Sequence, residues 1–146
     1  MIFFLRFSML FASLLLLTGC PVIERDVDLR YPAPDITAAT KVNDTLCVAV
    51  PDASDFQIRM IMIYPRHVPP KERWYQENPG LTITDGQVCI PYSFYKFDQR
   101  LEYVVQVILW SNKKAQWTKY AGRQVISAFE IENGHAYRVM LEEREL

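Results

Sequence analysis

The feature that most limits the fold of this chain is a matter of phase. In Thr45 to Val50 the apolar residues Leu46, Val48 and Val50 alternate with Cys47 and Ala49, and in Gln87 to Tyr92 the apolar residues Val88, Ile90 and Tyr92 alternate with Cys89. Successive side chains point to opposite faces of a β-strand, so each cysteine is expected on the face opposite its strand's apolar set. Two thiols that both leave the core side can bond only if their strands are neighbours in one sheet. That differs from the bridge of antibody domains, which crosses the core between sheets beside a tryptophan.

The third cysteine, Cys20, closes an apolar run from Phe7 to Leu17 that follows a single cation, Arg6. Such a run is too short for a stable bilayer span and reads as a secretory signal. Leu17-Thr18-Gly19-Cys20 resembles the bacterial lipobox, in which the thiol is diacylated and the preceding peptide is removed. Residues 1–19 are therefore expected to be a lipoprotein signal peptide and Cys20 the lipidation site. Acyl chains bury methylenes at about 0.8 kcal/mol each, so this anchoring would be effectively permanent. Cys47 and Cys89 are then left as a pair in an oxidising compartment, where disulfides persist. The chain-entropy contribution of such a bond is on the order of 4 kcal/mol. A metal site or a redox pair fits poorly, because the imidazoles are His67 and His135 alone and no Cys-x-x-Cys or ligand spacing is present.

Residues 20–35 mix charges of both signs with prolines at 21, 32 and 34 and read as a lipidated tether. Polyproline-like backbone rises about 3.1 Å per residue and would lift the domain off the membrane. An aspartate after the lipidated cysteine would resemble an inner-membrane retention signal. Pro21 stands there instead, which favours the outer membrane facing the periplasm. The net charge is −1, and the removed segment carries one cation and no acid. A balance that near neutral makes no electrostatic case for nucleic acid or anionic headgroups, and leaves the membrane to be reached through the lipid.

Residues 36–146 show short period-two runs separated by turn dipeptides, the pattern of an all-β, immunoglobulin-like antiparallel β-sandwich. Ile36 to Val42 is a weak first strand. In Phe56 to Tyr64, Phe56, Ile58, Met60, Met62 and Tyr64 face one way, with Gln57, Arg59, Ile61 and Ile63 opposite. Residues 65–80 form a long break with a short edge strand near Trp74. Asp85-Gly86 is a type I′ hairpin signature between Leu81 to Thr84 and Gln87 to Tyr92, and Asn133-Gly134 is a second candidate, leading into Ala136 to Leu141. Leu101 to Trp110 is a long strand, Ser111 to Lys114 a turn, and Gln116 to Tyr120 with Arg123 to Glu132 one strand bulged at Ala121-Gly122. The stretch Phe97 to Val105 looks like the approach to a tyrosine corner at Tyr103.

If the strands at 56–64, 101–110 and 123–131 correspond to C, F and G of such a sandwich, their outward faces read Ile61 and Ile63, then Val104, Ile108 and Trp110, then Ile126 and Ala128. A face that apolar is either a contact site or a minor core covered by the 65–80 loop or Trp117. Ile61, Ile63, Val104, Ile108, Trp110 and Ile126 are the candidate partner-binding residues. No catalytic motif is present: no Gly-x-Ser-x-Gly elbow, no phosphate-cradling glycine loop and no His-Glu-x-x-His. His67 reads as a surface residue and His135, after Asn133-Gly134, as a turn-flanking one, and no cofactor or metal is expected.

The lipobox, the cysteine segments Thr-Leu-Cys-Val-Ala-Val-Pro and Gly-Gln-Val-Cys-Ile-Pro-Tyr-Ser-Phe, and the later Tyr-Val-Val-Gln-Val together resemble a family of short enterobacterial lipoproteins assigned as immunity proteins of type VI secretion systems. The resemblance implies a periplasmic, membrane-tethered protein that binds a toxic effector and blocks it, and it supplies no catalytic residues. A structural or accessory envelope lipoprotein using the same apolar face is the alternative. An enzyme or glycan binder would need clustered polar groups in a concave site.

Overall fold

The computed structural model describes residues 32–146, so residues 1–19, Cys20 and most of the expected tether lie outside the described residues. Among the described residues ten strands form two sheets. They are β1 (Asp35–Ile36), β2 (Ala39–Val42), β3 (Thr45–Ala49), β4 (Phe56–Pro65), β5 (Trp74–Glu77), β6 (Ile83–Thr84), β7 (Gln87–Pro91), β8 (Glu102–Ser111), β9 (Gly122–Glu132) and β10 (His135–Arg138). The six-stranded sheet runs β1-β9-β8-β4-β5, with β10 also on β9, and the four-stranded sheet runs β2-β3-β7-β6. The expected C, F and G neighbours are thus β4, β8 and β9. The molecule is an all-β sandwich.

Turn chemistry closes the hairpins where the sequence places it. Asp85 and Gly86 have φ of 51° and 70°, and Asn133 and Gly134 have 50° and 78°, the paired positive values that a type I′ turn requires. The weak first strand divides. Residues 35–36 pair parallel with β9, and after Thr37 and Ala38 the chain crosses to pair β2 antiparallel with β3. Ser111 to Lys114 contains one helical turn, α1 (Asn112–Ala115), whose cap is the Ser111 hydroxyl accepting from the Lys114 N–H. Only Gly122–Glu132 of the expected bulged strand is extended and paired; residues 116–120 belong to the connection from β8.

The cysteines stand where their phase puts them. Cys47 is directly opposite Cys89 on β3 and β7, with Cα atoms 4.0 Å apart, and the two are disulfide-bonded. Leu46, Val48, Val50, Val88 and Ile90 fill the interior from the other face. Opposite them lie Phe56, Ile58, Ile61, Ile63, Val105, Val107, Leu109, Val125, Phe129 and Ile131 of the six-stranded sheet. One end of this core is closed by rings from the β7–β8 loop: Phe97 meets Tyr103 at 5.1 Å and Phe129 at 5.6 Å between centroids. The Tyr103 hydroxyl accepts the Asp98 N–H at 3.0 Å, which is the tyrosine corner expected from the sequence.

The facing of β4 departs from the expectation. Ile58 pairs with Leu109 and Met60 with Ile108, so Arg59 is an extra residue with no partner on β8, a β-bulge. An inserted residue reverses the parity of everything after it. Phe56 and Ile58 face inward, but so do Ile61 and Ile63, both 0% exposed, while Met62 and Tyr64 turn outward. Ile61 and Ile63 therefore belong to the main core and cannot touch a partner.

Candidate functional surface

The outer face of the six-stranded sheet is built from alternate residues of β4, β8 and β9. Tyr64, Val104, Ile126 and Ala128 form a second buried cluster there, against which Met62, Val139 and Leu141 pack. The cover is the chain's own C-terminal segment after β10, which stays attached to β9 through the Val139 N–H donating to the Ala128 carbonyl at 3.0 Å. Neither cover anticipated from sequence is the main one. Trp117 is 83% exposed, and the 65–80 loop adds Arg73 beside the strap, its guanidinium 4.2 Å from the Tyr64 ring centroid. Val104 and Ile126 are on the face assigned to them, but they are buried beneath this strap.

An ionic clasp holds the strap down. Arg66, just past β4, donates from Nε to Glu145 Oε1 at 2.8 Å and from Nη2 to Glu145 Oε2 at 2.7 Å, in the bidentate arrangement that suits a guanidinium. It also reaches Glu102 Oε2 at 2.8 Å and the Met140 carbonyl at 3.1 Å. The Arg66 hydrogen bonds, followed by the Glu142 N–H, hold the Glu145 carboxyl down at about 2. At the other end of the sheet the Ser111 hydroxyl, then the Lys113 N–H, lower Asp55 below the usual carboxylate range and fix the start of α1.

Beyond the strap the outer face opens. Ile108 and Trp110 keep accessible surface and line an apolar groove of about 590 Å³ with Tyr120, Gly122, Arg123 and Gln124. Arg59, the bulge residue, places its guanidinium 6.0 Å from the Trp110 ring. The lateral edge is β5, whose residues Trp74, Tyr75, Gln76 and Glu77 are all exposed and whose far side no strand pairs among the described residues. Tyr75 sits opposite Met62, on the outer face, and is 59% exposed. The edge position of Tyr75 follows from the short strand expected near Trp74, but the contact of Tyr120 with the groove has no local signature. His67 and His135 are both exposed. Among the described residues no group of three or more His, Cys, Asp or Glu could hold a metal ion.

Fold and surface together define an all-β sandwich with an intra-sheet disulfide, a strapped outer face and an open aromatic edge. The chain belongs to a domain family of unknown function, DUF7480, whose model matches residues 34–134, from the start of β1 to the β9–β10 turn. No match is found among curated proteins or among solved structures.

Proposed function

We propose that this chain is a lipid-anchored lipoprotein, held at Cys20 in the outer membrane and facing the periplasm, that acts as a binding module. Its partner on this reading is a type VI secretion effector, which it neutralises as an immunity protein. The observation that carries the binding reading is the free edge of β5 beside an accessible strip of the outer face. An unpaired edge offers N–H and C=O groups to an added strand, and tyrosine and tryptophan are the residues that most often anchor interfaces. Tyr75, Ile108 and Trp110 are the side chains that would meet the partner. The bonded pair Cys47–Cys89 supports export, because such bonds persist where the compartment is oxidising.

The test is co-expression of the full chain with the neighbouring gene's candidate toxin directed to the periplasm. Protection by the wild type, lost in a Tyr75→Asp, Ile108→Asp variant that keeps its thermal transition, is the expected outcome. Killing unchanged by the wild-type chain would count against immunity.

A further inference from the structure

The direction of β1 decides which end of the sandwich lies toward the anchor. Because β1 runs parallel to β9, with Asp35 opposite Val125 and Ile36 opposite Ile126, moving upstream in the chain means moving along β9 toward its start at Gly122. Pro32 accordingly lines the same groove as Gly122, Lys119 and Tyr120. The dozen residues from Cys20 to Tyr31 join the domain at this end, and fully extended they span at most about 40 Å.

The β8–β9 connection lies at the same end and has an interfacial composition. Trp117, at 83%, is more exposed than any other large hydrophobic side chain among the described residues. Lys113, Lys114 and Lys119 around it are exposed, and no acid occurs between Asn112 and Arg123. Of the carboxylates at this end, Asp35 is held by Arg123 and Asp55 by Ser111 and the Lys113 N–H, while Asp52 and Asp85 sit on the β3–β4 and β6–β7 turns. The positive charge is thus local to the connection. An indole settles at headgroup depth, and lysine stems lie along apolar surface while their ammonium groups meet phosphate.

We propose that the β8–β9 connection docks on the bilayer that holds the anchor, with Trp117 entering the interface and Lys113, Lys114 and Lys119 engaging anionic phospholipid headgroups. The proposal rests on the lipid-anchored reading of Cys20. Docking sets the sandwich upright: the Arg66 clasp and the aromatic plug of the β7–β8 loop point away from the membrane, and the β5 edge faces sideways.

The test uses the full chain, produced in bacteria that process lipoproteins, recovered in detergent and reconstituted into phosphatidylethanolamine vesicles with or without phosphatidylglycerol. Flotation reports anchoring, and quenching of tryptophan emission by lipids brominated near the headgroup reports docking. The expected result is that the quenched fraction falls roughly twofold or more in Trp117→Phe, in Lys113→Glu/Lys119→Glu and in vesicles lacking phosphatidylglycerol, all with flotation intact. Equal quenching of wild type and Trp117→Phe, with flotation intact, would overturn docking and leave the anchor standing. Failure of the wild type to float would overturn both.

Discussion

Arg66 and Glu145, separated by 79 positions in the sequence, are joined by two hydrogen bonds of 2.8 and 2.7 Å that close the C-terminal strap over Tyr64 and Val104. Replacing Arg66 with Ala removes these bonds and those to Glu102 and the Met140 carbonyl. The expected loss is on the order of 2 kcal/mol, because partly shielded charge-assisted bonds exceed exposed ion pairs. Urea unfolding measures the loss, and increased binding of a hydrophobic dye reports release of the strap.

The same clasp fixes a pH dependence. Glu145 is held at about 2 in the folded chain, below its ordinary 4.5, so its contribution is complete above about pH 4.5 and is lost as pH falls through about 2. Limited proteolysis at the C-terminus should show the strap closed at pH 5 and increasingly cleavable toward the acid end. In Glu145→Gln that acid-dependent step should disappear.

Ile63 and Ile108 separate core from surface. Ile63→Ala should cost about 3 kcal/mol, as expected for a large-to-small change at a site with no exposure. Ile108→Ala should cost less than half as much, because its side chain keeps contact with solvent. Equal losses in denaturant titrations would contradict the bulge at Arg59.

Reduction of Cys47–Cys89, or the double change to Ala, should lower stability by about 4 kcal/mol, the entropy of a loop closed across 42 positions. Both sulfurs lie outside the main core cluster, so the change opens no cavity there. The oxidised and reduced proteins should differ in thermal midpoint while sharing the same far-ultraviolet spectrum.

Ser127, fully buried on β9, has a hydroxyl with no hydrogen-bond partner among the described residues. Ser127→Ala removes a desolvated polar group at little change in volume, and is expected to stabilise by about 1 kcal/mol. Thermal unfolding would show it as a rise in midpoint.

What the sequence reveals and what it hides follow from range. The outward cysteines were readable because β3 and β7 are regular, so phase alone fixes their faces. The type I′ turns were readable because Asp-Gly and Asn-Gly answer a local demand for positive φ. The bulge was not, because Phe56, Ile58, Met60, Met62 and Tyr64 form an unbroken apolar alternation; its one trace is that the isoleucines switch parity between Ile58 and Ile61. The strap is hidden for a different reason. Val139 and Leu141 alternate like strand residues, yet the segment that carries them is clasped through Glu145 by Arg66, 79 positions away, and no local pattern carries that information.

The parallel seam between β1 and β9 also has a mechanical consequence. A pull applied before β1 would reach the two residues of β1 first, while the sulfur bridge, lying within the other sheet, is off that path. Under such traction the seam should peel before either layer opens, adding a few residues to the segment before β2 while the β5 edge stays assembled.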